Sequence, residues 1–138
     1  SQAAPLAWAQ AAAQAHGLPV HEAPGLAQAA ACIRASETAR VFFDPERLLW
    51  SADEVVLPDA RPGEEVVRLD RLVQRDDGTW TVIDYKRHAD ASPGSPQALQ
   101  VARYVRAVEA LHPGQPVRGV LIDAAGVVWP VEVPAGPP

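Results

Sequence analysis

The chain has 138 residues, 48% of them apolar, and a net charge of −5, which is one domain with a single buried core and without the basic footprint of a stand-alone nucleic-acid binder. No apolar run is long enough to span a membrane, and the N-terminus lacks the basic-then-apolar pattern of a secretory signal. Cys32, the one cysteine, excludes an internal disulfide and a cysteine zinc cluster and fits a reducing cytoplasm. With no methionine, the chain is expected to be processed or to be part of a longer protein.

Residues 1–16, rich in Ala and Gln, favour helix until Gly17-Leu18-Pro19 breaks it, so residues 1–24 form an N-terminal helical segment ahead of a core over 25–133 and a tail over 134–138. Pro24-Gly25 opens a second helix over 26–41. Leu26, Ala29, Ala30, Ile33, Ala39 and Phe42 fall on its core face, with Cys32 a small buried residue and Glu37 solvated. Pro45 ends this region, and residues 46–50 are expected to form a turn that packs Leu49 or Trp50 inward. A first strand over 53–57 follows, then a Pro- and Gly-containing loop over 58–63.

Asp76-Asp77-Gly78 is a turn signal between strand-like runs over 65–75 and 79–85. A three-residue loop with Gly78 left-handed sets Arg75 across from Thr79 and, further along both arms, Asp70 across from Asp84. Lys86 then shares the face of Asp84. A two-residue loop slips the register by one and sends the carboxylates to opposite faces. Opposed carboxylates about 4.5–5.5 Å apart at their β-carbons repel. A divalent cation between them removes that objection, with Mg2+ or Mn2+ suited to oxygen ligands. Lys86 would then act on an attacking water or on the charge developing on a phosphate. The alternative is a surface hairpin with solvated charges.

Residues 87–96 read as a polar, mobile loop in which Arg87 or His88 either touches a phosphate or is simply exposed. A helix over 97–111 carries the apolar stripe Val101, Val105 and Val108, and sets Gln100 and Tyr104 on one face. Tyr104 there either shapes a site or packs at a helix–sheet boundary. His112-Pro113-Gly114 stops the helix, leaving His112 solvated. Strands over 117–123 and 127–133 flank an Ala124-Ala125-Gly126 turn, with Val117, Val120, Leu121, Ile122, Val127 and Val128 as core. There is no internal repeat, Walker A loop or dinucleotide fingerprint. Two helices, three strands, a helix and two strands make an α/β fold, a mixed central β-sheet flanked by helices.

Arg68-Leu69-Asp70-Arg71-Leu72-Val73, Val82-Ile83-Asp84-Tyr85-Lys86 and Gln100-Val101-Ala102-Arg103-Tyr104 stand in the order of the signature motifs of the PD-(D/E)XK nuclease superfamily. More narrowly, they resemble the C-terminal nuclease domain of RecB and AddA helicase-nucleases, which carry Asp-Arg, Asp-Tyr-Lys and Gln-x-x-x-Tyr in this order. The similarity runs over about residues 36–133, and Arg87 replaces the Thr that often follows the Lys.

The resemblance implies a restriction-endonuclease-like fold and a Mg2+- or Mn2+-dependent deoxyribonuclease, the exonuclease part of a cytoplasmic helicase-nuclease in DNA recombination and repair. Its partners would be DNA, a covalently linked helicase domain and a partner subunit, with no membrane. Asp70, Asp84 and the backbone carbonyl of Tyr85 would ligate the metal, Lys86 would activate or orient water, and Gln100 and Tyr104 would position the substrate or Lys86. Glu54 aligns with an acidic residue of the family's first strand, or is a strand-edge charge. Relatives also place a metal-binding His on an early helix. Neither His16 nor His21 stands in that motif, so its counterpart is expected upstream or absent. The rival expectations are a catalytically degenerate nuclease-fold module that binds DNA or partner subunits, favoured by the missing His and acidic surface, and an unrelated small α/β interaction domain.

Overall fold

The computed structural model describes residues 23–134 apart from residue 64. The expected helix over 1–16, His16, His21 and residues 135–138 lie outside the described residues. Helix α1 (Ala23–Ala35) and the single turn α2 (Glu37–Arg40) lead through a 3-10 turn (Pro45–Arg47) into strand β1 (Leu48–Pro58). Strands β2 (Val66–Arg75) and β3 (Trp80–Tyr85), helix α3 (Pro96–Leu111) and strands β4 (Val117–Ile122) and β5 (Val128–Val131) follow.

The five strands form one sheet in chain order, β1-β2-β3-β4-β5. Neighbours are antiparallel except β3 and β4, which run parallel because α3 crosses between them. β3 is central and reads Trp-Thr-Val-Ile-Asp-Tyr with every residue buried, as a strand covered on both faces should. On one face, α3 packs Val101, Val105 and Val108 against Leu69, Leu72, Val82 and Leu121. On the other, Ile33, Ala39 and Phe42 meet Val73, Ile83, Tyr85, Val120 and Ile122. The result is the expected α/β architecture, a mixed sheet between helical layers.

Gly119 lets the main helix sit this close. A β-carbon there would lie 2.3 Å from Val101 Cγ1 and 3.0 Å from Val105 Cγ2, so only glycine fits beneath α3.

Several local expectations change. The helix over 26–41 is broken at Ser36, which leaves helical geometry and caps α2 by accepting from the Ala39 N–H at 3.3 Å. Ala29 and Ile33 form the buried side of α1, which turns the adjacent Cys32 to the exposed side. β1 starts at Leu48 rather than residue 53, so Leu49 and Trp50 stand on an edge strand, 62% and 44% exposed, instead of turning inward. Trp50 meets Trp80 edge-on, and His112, expected in solvent, stacks on Trp80 with ring centroids 4.3 Å apart. Val127 is exposed rather than core.

Candidate active site

The geometry of the hairpin is set by its turn. Gly78 has φ +90°, its N–H donates to the Arg75 carbonyl at 2.8 Å, and the Arg75 N–H donates to the Thr79 carbonyl at 2.9 Å. That is the three-residue loop, and glycine takes the left-handed position at no steric cost. The ladder then pairs Leu72 with Val82 and Arg71 with Ile83. One step further along both arms brings Asp70 across from Asp84, so the slipped alternative does not occur. Beyond Arg71 the Asp70 side chain takes over as partner of β3, with Oδ2 accepting from the Tyr85 N–H at 2.9 Å.

Asp84 is 2% exposed. Its Oδ2 lies 3.0 Å from Lys86 Nζ, an ion contact without the direction of a hydrogen bond. Burial first, and then the nearby Asp70 carboxylate, push the Asp84 carboxyl up to about 7, against the pull of Lys86. Lys86 is fixed at both ends. Its N–H donates to the Ile122 carbonyl of β4 at 3.0 Å, and its ammonium donates to Gln100 Oε1 at 3.0 Å.

Gln100 and Tyr104 reach this place because α3 starts at a fixed point. Ser95 caps the helix by accepting from the Ala98 N–H at 3.0 Å and donates its own hydroxyl to the Asp90 carbonyl at 2.7 Å. Gln97 accepts from the Asp90 N–H at 2.8 Å and donates to the His88 carbonyl at 3.0 Å, so the loop expected to be mobile is tied down by the first turn of the helix. Arg87 and His88 are on its exposed side. Tyr104 is buried. Desolvation, then the charges of Asp84 and Asp70, raise its hydroxyl above the usual tyrosine value, while a side-chain hydrogen bond to Gln100 pulls the other way.

Asp70, Asp84, Lys86, Gln100 and Tyr104 therefore converge at one end of β3, beneath α3. Glu54 stands across from Asp70 on the neighbouring strand. It lies exposed on β1, and among the described residues no third His, Cys, Asp or Glu completes a metal-binding cluster with the pair.

Arg71 was not singled out by its residue type, yet it braces the site from behind. Its Nε donates to the Phe42 carbonyl at 3.1 Å and its Nη1 to Asp53 at 2.9 Å, and the guanidinium sits 4.8 Å from the Phe43 ring centre. Phe43 in turn stacks on Tyr85 at 6.5 Å. The sequence signal for this brace is an Arg next to an Asp in the middle of a strand, between Leu69 and Leu72.

Two desolvated carboxylates, one proton-hungry and holding an oxygen without a hydrogen-bond donor of good geometry among the described residues, suit a divalent cation. The donor set is hard oxygen, the chemistry that Mg2+ and Mn2+ accept, and two protein carboxylates with further waters is an ordinary complement for Mg2+.

The model of the PD-(D/E)XK nuclease superfamily matches residues 2–134. No curated protein matches the chain. The superfamily's nucleases typically use a divalent metal, in keeping with the paired carboxylates. With the match spanning nearly the whole chain, and a mixed five-stranded sheet bearing the carboxylate pair on adjacent strands with the lysine just past the end of β3, the chain belongs to the PD-(D/E)XK nuclease superfamily.

Proposed function

We propose that this domain hydrolyses phosphodiester bonds of DNA with Mg2+ or Mn2+ held by Asp70 and Asp84. Superfamily membership already suggests a nuclease with a nucleic-acid substrate. The observation that carries the reading to these residues is the buried Asp84, whose Oδ2 lies against the Lys86 ammonium and whose neighbour is a second carboxylate.

The bound cation would supply Lewis acidity to the phosphate and lower the pKa of the attacking water. Asp70 and Asp84 offer it carboxylate oxygens, and the Tyr85 backbone carbonyl, between Asp84 and Lys86 in the chain, is the further oxygen we assign to it. An ammonium has three protons. That of Lys86 directs one to Gln100 and lies against Asp84, leaving a donor for the nucleophilic water or the scissile phosphate. Gln100 keeps the ammonium on that line, and Tyr104 closes the α3 side of the site.

The finer assignment is the RecB/AddA type, an exonuclease working with a helicase domain. The order Asp-Arg, Asp-Tyr-Lys and Gln-x-x-x-Tyr supports it, as does the hydrogen bond by which the third motif holds the lysine of the second.

Cleavage of linear single- and double-stranded DNA in Mg2+ or Mn2+, with Lys86→Ala beside the wild type, tests this. Cleavage that is lost in Lys86→Ala and in chelator is the expected result. The convergence of only two acidic ligands among the described residues favours, as a second reading, a module of this fold that binds DNA or partner subunits without cutting. Manganese binding through the pair with no turnover on either substrate would select that reading.

A further inference from the structure

We propose that Glu54 places Asp70 beside Asp84 through its backbone, not through its carboxylate. This role rests on the reading of Asp70 and Asp84 as metal ligands.

β1 and β2 pair Asp53 with Arg71 and Val55 with Leu69, so Glu54 stands across from Asp70 and the register is the same on both sides of that rung. The facing of the side chains is not the same. On the hairpin-loop side, the even-numbered residues point toward α3: Leu72 lies in the core beneath the helix, and Trp50, paired with Gln74, meets Trp80 of that core. On the far side of the rung it is the odd-numbered Val55, Leu57, Val67 and Leu69 that belong to the same core. Arg71 and Val73, also odd-numbered, pack on the opposite face with Phe42. Both strands thus exchange faces at Glu54 and Asp70.

Glu54 has φ +52°, the one positive value at a non-glycine residue among the described residues. A left-handed residue between extended neighbours turns the chain, which is what the exchange of faces requires. Its effect on Asp70 follows from the period of a strand. With strict alternation from Leu69, Asp70 would point away from α3 and Asp84. With strict alternation from Leu72, Asp70 would stay but Leu69 and Val67 would leave the core. The exchange keeps the carboxylate at the site and the apolar side chains beneath the helix together. It works only if β1 turns at the same rung, since otherwise Val55 and Leu57 would face away while their partners face inward. The ion pair of Asp53 with Arg71 at 2.9 Å holds the adjacent rung on the opposite face. The Glu54 carboxylate itself is exposed and joins no cluster with Asp70 and Asp84.

The test compares Glu54→Gln, Glu54→Gly and Glu54→Val by manganese affinity and by thermal melting in chelator. Glutamine removes the charge and keeps the backbone preference. Glycine favours the left-handed conformation, and β-branched valine opposes it. The expected pattern is manganese affinity within about twofold of wild type for Gln and Gly, and a loss of about tenfold for Val, the ratio that a left-handed penalty implies. In chelator the Gly variant should melt above wild type and the Val variant below it.

Should Glu54→Val fail to fold, Glu54→Ala carries the comparison, with affinity below that of Glu54→Gly expected and equal affinity overturning the role. A Gln variant that loses manganese would make the carboxylate a ligand and overturn the proposal. So would a folded Val variant that binds as wild type does. Wild-type protein that binds no manganese fails at the control rather than at the variants; it overturns the metal site and this positioning role with it.

Discussion

Lys86 donates to Gln100 Oε1 over 3.0 Å, so a residue of α3 fixes the ammonium that stands against the buried Asp84 on β3. Without that acceptor the lysine side chain recovers its rotamers, and the same ammonium spends less time on the reacting atoms. Replacing Gln100 by Leu is expected to lower kcat about tenfold or more while KM and the melting temperature stay near wild type. Single-turnover cleavage checks it. A rise in KM alone would make Gln100 a substrate contact instead.

The carboxylate pair sets a pH dependence whose sign is opposite to that of an ordinary ion-paired aspartate. Asp84 holds its proton up to about 7 in the folded protein and loses it near 3.8 in the unfolded chain. Between those values the folded state binds more protons, so this group's contribution to stability is complete below the lower value and is lost as pH rises through the upper one. Metal-free protein is therefore expected to gain stability from this site at pH 5 relative to pH 8. Asp84→Asn should remove that dependence and melt higher at pH 8. Added Mn2+ should stabilise the wild type more at pH 8 than at pH 5, because proton and cation compete for the same oxygens. Asp59 does not interfere. The backbone N–H of Arg61, at 3.1 Å, and then the Arg61 and Arg103 side chains hold it down at about 2, and its contribution is lost only in stronger acid. Melting curves at the two pH values, with and without metal, decide the sign.

Gly119→Ala is expected to act on the site from beneath. Its new methyl would meet Val101 Cγ1 at 2.3 Å, on a helical β-branched side chain that has no free rotamer to adopt, so α3 must shift. Overpacking of this kind costs about 1–3 kcal/mol. Because Gln100 and Tyr104 ride on the same helix, cleavage should fall as well. Urea unfolding and the cleavage assay measure the two effects separately.

Arg71 should matter for stability more than for chemistry. Arg71→Met keeps the bulk but strands the buried Phe42 carbonyl, an expected cost of about 1–3 kcal/mol. Arg71→Lys should not restore it, since a point charge cannot make both the Phe42 and Asp53 contacts as a planar fork does. Urea unfolding that places either variant within about 0.5 kcal/mol of wild type would remove the brace from the account.

Much of this arrangement is local, and local features were legible. Asp76-Asp77-Gly78 names a turn but leaves its length open, since Gly78 suits a two-residue loop as well as a three-residue one, so alternation puts Asp84 and Lys86 on one face while the facing of Asp70 waits on the observed register. Gln100 and Tyr104 share a helical face by spacing alone. The hydrogen bond from Lys86 to Gln100 was not legible, because it depends on how far α3 sinks onto the sheet, and that depth is set by Gly119 two elements away. Nor was the exchange of faces at Glu54, since a glutamate carries no local sign of a left-handed backbone. Apolar spacing carries the helix straight through Ser36, although its hydroxyl makes it a cap. The Ala and Ile around Cys32 suggest an inward side chain, but the side of α1 that docks is that of Ala29 and Ile33. The loop after Lys86 looked mobile from its Ser, Pro and Gly content, while the bonds that hold it come from Gln97 and Ser95 folding back on Asp90 and His88.

Whether Asp70 and Asp84 hold one cation between them is decided by manganese binding to the metal-free protein at pH 8, measured by calorimetry with Asp70→Asn and Asp84→Asn alongside the wild type. A saturable site in the wild type, weakened at least about tenfold in each variant while both remain folded, is the result that two shared carboxylate ligands require. Equal binding by all three proteins, or none by the wild type, would contradict it.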